Sequence, residues 1–244
     1  MLKRLTVFGL VLLLLLMGIP VPAGAASLEV QFQIGKSVYW VDGRVEPMDV
    51  APYIDENHRT LVPVRYLAYA LGVPKENVFW ISENSLIYLY KDTVGVALVL
   101  NEPGIWKIEG DDAEVLGQLL SLAQRIQKVV EPIEKEGREP TSQEIKELEA
   151  LLREVCELMG VKPSFGSPEE VEETHRKWEE AFDAWLWEVW RHHSKVVIMD
   201  TVPVIKNGRT FLPARYVAEA LGYKVDWDGN SQKVIISPQK GIYP

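Results

Sequence analysis

The sequence predicts an α+β fold: two repeats, each a small antiparallel sheet packed on a short helix, with an all-α helical insertion in the second repeat. Three observations carry this. Residues Asn57–Gly72 and Asn207–Gly222 are identical at ten of sixteen positions at an offset of 150, where average composition gives roughly one match. Within each copy, apolar residues alternate with period two, switch to helical spacing, and return to period two. The alignment also breaks once. Val38–Gly43 matches Ile105–Gly110 at an offset of 67, whereas Pro52 matches Pro203 at 151. The second copy therefore holds an extra segment, at residues 112–195.

The 244-residue chain starts with Lys3 and Arg4, an apolar run from Leu5 to Met17, and Ala23-Gly24-Ala25. This is the pattern of a secretory signal peptide at residues 1–25, and the apolar run is shorter than the roughly 20 residues a membrane span needs. The expected product is exported and soluble, secreted or associated with the cell envelope, with no transmembrane segment after cleavage.

Repeat one occupies 29–93. Val30, Phe32 and Ile34 alternate with polar residues as in a half-buried strand, and Val38–Val41 runs into an Asp42-Gly43 hairpin turn. Pro63 suits the first turn of a helix. Tyr66, Leu67, Ala70 and Leu71 recur at helical spacing, and Gly72 suits the C-terminal cap. A strand pair follows around Val78–Trp80 and Leu86–Leu89. Repeat two comprises 94–111 and 196–237, with Val225–Trp227, an Asp228-Gly229 turn and Val234–Ile236 as its last pair. Residues 238–244 form a tail.

The insertion is different material. Thr141 with Glu144 and Ser167 with Glu170 fit capping boxes, and Pro168 fits position N1. These place helices near 142–159 and 168–193, preceded by one near 113–136 that bends at Pro132. A three-helix hairpin or bundle results. Residues 111–193 carry 20 Asp/Glu against 10 Lys/Arg, so the chain's net charge of −9 resides almost wholly in the insertion. Such a balance argues against a generic nucleic-acid surface, which needs a basic face. The single cysteine, Cys156, excludes an intramolecular disulfide, and its place beside an apolar helical stripe predicts a buried, inert thiol.

The motif N-G-R-T-x-x-P-x-R-x-x-A-E-A-L-G at 207–222, followed by the V-x-W-D turn at 225–228, resembles the copper amine oxidase N-terminal-like (stalk) domain family. Arg209, Pro213, Arg215, Glu219, Gly222 and Trp227 carry it, with Arg59, Pro63, Arg65, Gly72 and Trp80 at the matching places of copy one. Copy one departs in having His58 for the glycine, Tyr69 for the glutamate and an extra loop between Val73 and Val78. The resemblance implies an appendage of exported bacterial proteins that does not hold the copper centre, and it does not reach the insertion.

Catalytic constellations are missing from the sequence. There is no Asn-Tyr pair for a tyrosine-derived quinone, and the four histidines include two that are adjacent at a helix end, so oxidase chemistry and a cofactor are not expected. The G-x-S-x-G, H-E-x-x-H, P-loop and G-x-G-x-x-G patterns are absent. The four repeat arginines read best as structural forks tying the pre-helix loops to carbonyls or to a carboxylate such as Glu219. Trp178, Phe182, Trp185 and Val189 share one helix face and read as core; Trp187 lies off that stripe and Trp190 at its border, which makes them candidate ligand contacts. The expectation is a non-catalytic scaffold or binding module whose partner is an envelope protein or a cell-wall polymer. The alternative is a carbohydrate or peptidoglycan binder using exposed Trp and repeat Arg residues.

Overall fold

A computed structural model describes residues 28–82 and 85–239, so the leader expected at 1–25 lies outside the described residues. The fold is α+β, with antiparallel sheets and five helices among those residues. One five-stranded sheet combines β1 (Val30–Gln33), β2 (Val38–Val41) and β3 (Arg44–Pro47) with β13 (Tyr223–Asp228) and β14 (Lys233–Pro238), in the order β13-β14-β1-β2-β3. The other combines β6 (Val78–Ile81) and β7 (Leu86–Lys91) with β8 (Val94–Val99), β9 (Gly104–Glu109) and β10 (Ser194–Ile198), in the order β6-β7-β8-β9-β10. Repeats contiguous in sequence thus exchange their last hairpins in space. The cause is local. Lys91 pairs with Val94 across a two-residue link, so the end of copy one folds back as a hairpin with the start of copy two. Copy two's last hairpin is left to pair with β1, with Val30 opposite Ile236.

The third sheet, β11-β12-β5-β4, joins the copies through β4 (Tyr53–Ile54), β5 (Thr60–Pro63), β11 (Val204–Lys206) and β12 (Arg209–Pro213). In its central ladder Val62 faces Leu212, its own repeat counterpart, while Leu61 faces Pro213 and Pro63 faces Phe211. A pseudo-two-fold axis passes through that pair, as in an isologous dimer interface. The short helices α1 (Val64–Ala70) and α5 (Ala214–Ala220) follow β5 and β12 directly. Pro63 and Pro213 stand one residue ahead of the first turn, ending the strands at φ −59° and −64°. Each helix stops at a residue in the left-handed region, Gly72 (φ 78°) and Gly222 (φ 86°), whose amides close onto the Tyr69 and Glu219 carbonyls.

One core serves both copies. Val30, Phe32, Ile87, Val96, Val62 and Leu212 bury together with Leu67 of α1, with Leu71 just past its end, and with Val217 of α5. The strand ladders also correct the sequence register by one residue. Trp40 faces Val45 and Trp106 faces Val196, so Trp106, not Lys107, takes the place of Trp40.

The insertion leaves the turn that Asp42-Gly43 makes in copy one. Its helices are α2 (Asp111–Glu136, with Pro132 inside), α3 (Ser142–Leu158) and α4 (Pro168–Glu188), the last continued by one π turn, Val189–His193. Thr141 and Glu144 form the full capping box. At α4 only half of the expected box forms: the Ser167 side chain accepts from the Glu170 amide, while the Glu170 carboxylate caps the Gly166 N–H instead, at 3.0 Å. Arg125 and Glu154 bridge α2 to α3 at 3.0 Å. Cys156 is a buried free thiol, its pKa raised by burial.

Ala113 and Leu116 of α2, with Val189, cover the outward face of the second sheet against Phe79, Tyr88, Ala97 and Ile108. The equivalent face of the first sheet carries Gln31 and Trp40, with the Lys233 ammonium 4.6 Å from the Trp40 ring centroid. One face is covered and apolar; the other is open and polar.

Candidate functional site

The repeat motif separates into two sets of arginines. Arg59 and Arg209 are spent on the fold. Arg59 Nε donates to both Asp200 oxygens, at 2.9 and 2.8 Å, and Nη2 adds a third contact. Arg209 Nε donates to Asp49 Oδ2 at 2.7 Å. These are reciprocal ties, each joining one copy's arginine to the other copy's aspartate. Tyrosines repeat the symmetry: the Asp49 amide donates to Tyr66 Oη at 3.1 Å and the Asp200 amide to Tyr216 Oη at 3.3 Å. Hydrogen bonding to Arg59 holds the Asp200 carboxyl at about 2, well below its ordinary range, and hydrogen bonding to Arg209 lowers that of Asp49. Glu219, the expected partner, is exposed and stands in neither tie.

Arg65 and Arg215 are different. Both are exposed, and among the described residues neither has an ion pair or a side-chain hydrogen bond. Each lines a cleft. One cleft, of about 290 Å³, sets Arg215 beside Trp227 with Ile54 and Thr60 from the opposite copy. The other, of about 360 Å³, sets Arg65 beside Trp80 with Ile205 and Thr210 from the opposite copy. Arginine, tryptophan, isoleucine and threonine therefore recur at equivalent places, and each cleft needs both copies. Trp80 and Trp227 remain 44% and 43% exposed.

The insertion's tryptophans fall elsewhere. Trp190 packs edge-to-face on Trp106 with centroids 5.8 Å apart, so its ring closes the insertion onto the sheet. Trp187 is 65% exposed, with the Arg191 guanidinium 5.6 Å from its ring centroid. Asp112 accepts from Trp185 Nε1 at 3.1 Å and lies 2.6 Å from His193 Nδ1. It fastens the two ends of the insertion together. A carboxylate 73 and 81 residues from its partners has no local sequence signal. Buried Tyr88 anchors the same corner by donating to the Ala113 carbonyl at 3.0 Å, and desolvation raises its pKa. No helix among the described residues is long and apolar enough to cross a membrane.

A duplicated sheet-and-helix platform, with one hairpin of its second copy extended by helices, defines an α+β repeat domain. The copper amine oxidase N-terminal domain family model matches residues 24–89, 40–110 and 191–242. The chain belongs to that family, and helices α2, α3 and α4 of the insertion lie outside the matched residues. In copper amine oxidases this N-terminal domain is not the catalytic part. No curated protein and no solved structure matches the chain.

Proposed function

We propose that this protein is a non-catalytic, exported module of the cell envelope or extracellular space. The merged repeats are its rigid platform, and the acidic insertion is its distinctive contact surface. The observation that carries this reading is the division of material: the family match spans the platform, while the charge sits on helices added at one hairpin. The partner is an envelope protein or a cell-wall polymer. Because α2 and Val189 cover apolar sheet residues, the test keeps the insertion and changes its charge. The exposed Glu147, Glu157 and Glu172 are replaced by Gln, and cross-linking with affinity capture from the native envelope is compared with the unchanged protein. Loss of the captured partner with an unchanged melting temperature supports the reading. Robust hydrolase or oxidase turnover, abolished by one substitution, would overturn it.

A second reading, a carbohydrate or peptidoglycan binder, is favoured by one observation: exposed Trp side chains share clefts with Arg side chains that have no ion pair among the described residues. Incubation with insoluble cell wall tests it, since a binder is depleted from solution and a non-binder is not.

A further inference from the structure

We propose that the Arg65–Trp80 and Arg215–Trp227 clefts are paired subsites for an acidic glycan, each taking one carboxylate-bearing sugar. The inference rests on the glycan-binding reading and moves it from Trp187 and Trp190 to residues that pair an aromatic face with an unused cation. It starts from a contrast within the motif. Of the four repeat arginines, two bind aspartates across the pseudo-two-fold axis, and two are held in both copies without a partner among the described residues. Scaffold duty accounts for Arg59 and Arg209. It does not account for Arg65 and Arg215, nor for the half-exposed tryptophan beside each.

The chemistry of the cleft selects the ligand. The negative face of an indole attracts the polarised C–H groups on one side of a pyranose ring. A guanidinium fork beside it matches a carboxylate in a bidentate arrangement. Ile54 and Ile205 supply an apolar wall, and Thr60 and Thr210 a hydroxyl. The volumes lie at the lower end of the range for small-ligand sites, suited to one sugar-sized group.

The charge distribution agrees, because the acidic insertion contributes no lining residue to either cleft, and the one carboxylate there, Asp226, is engaged by Lys224 at 2.8 Å. A single-stranded nucleic acid would also stack and carry charge, but its binding grooves are basic along their length. Here each cleft offers one guanidinium without an ion-pair partner among the described residues. Two equivalent sites on one rigid platform would add avidity for a repeating polymer.

The test uses the full chain with three probes: oligogalacturonate, its methyl ester, and oligo-dT. Calorimetry gives stoichiometry, and indole N–H NMR signals report the rings. The expected result is two sites for oligogalacturonate, with the Trp80 and Trp227 signals shifted and that of Trp187 unmoved. Trp80→Ala or Trp227→Ala then removes one site each. Arg65→Gln with Arg215→Gln weakens the acidic oligomer about tenfold or more and leaves the weaker methyl-ester binding unchanged.

Absence of oligogalacturonate binding, indifference to the arginine substitutions, or tighter binding of oligo-dT would overturn the assignment. If the variant with all four substitutions is still depleted by insoluble cell wall, the glycan reading stands and the clefts are the wrong place. If the unchanged protein is not depleted, the glycan reading itself fails.

Discussion

Arg59–Asp200 and Arg209–Asp49 are exposed pairs, so their Coulomb energy is screened and salt-sensitive. Their value is positional: each ties an arginine at the start of a central-sheet strand of one copy, or just before it, to a loop aspartate of the other. The pH dependence follows from the lowered carboxyl pKa values. Folded Asp200 titrates at about 2, against roughly 3.9 for an unfolded aspartate, so the unfolded chain binds protons first. The stabilising contribution is complete above about pH 4–5 and fades as pH falls toward 2. Thermal melts between pH 7 and pH 2 should therefore show a steeper acid loss for the unchanged protein than for Asp49→Asn/Asp200→Asn, and high salt should narrow the gap. Parallel pH curves would contradict this account. Both arginines are legible in the sequence as structural forks; their partners are not. Asp200 lies 141 residues from Arg59, and only the fold brings them together. Glu219 is nearer to Arg209 in sequence than Asp49 is, yet it is exposed and stands in neither tie.

At the level of elements, the helices of the insertion are the most legible part, because Thr141 and Ser167 mark the starts of two of them; Pro132 lies inside the first helix, which runs on to Glu136. The redirected Glu170 was not legible, since the Gly166 amide and the Ser164 hydroxyl just ahead of the cap compete for its carboxylate; nor was the π turn at Val189–His193, whose Val189 and Trp190 pack on the second sheet. The two equivalent edge strands are protected differently. β3 reads Arg44-Val45-Glu46-Pro47, guarded by a charge and a proline, whereas the equivalent part of β10 reads Lys195-Val196-Val197-Ile198. Val197 and Ile198 are 52% and 70% exposed on an edge with unpaired backbone groups. Such an edge is a pairing liability. Val197→Glu, which copies Glu46, should change stability by no more than about 0.5 kcal/mol, as a surface substitution, and lower concentration-dependent association in light scattering. Unchanged association would mean that the edge is not used.

Across the whole molecule, the duplication was visible in sequence and the exchange of hairpins was not. Matching residues at a fixed offset identifies equivalent strands but is blind to which edge each one joins. The available signal was the short Asp92-Thr93 link between β7 and β8, which favours pairing across the copy boundary. The exchange explains why a single core contains Val30 with Ile236 and Leu89 with Val96, and why neither copy closes its own sheet. A direct measurement is disulfide trapping of Gln31→Cys with Ile235→Cys, in a Cys156→Ser background. These two residues face each other across the β1–β14 ladder, within the geometry a disulfide accepts. The predicted result is an intramolecular bridge joining the two ends of the folded chain, identified by peptide mass mapping. A pair that stays reduced in folded protein under the same oxidation would show that β14 does not lie beside β1, and would contradict the exchanged fold.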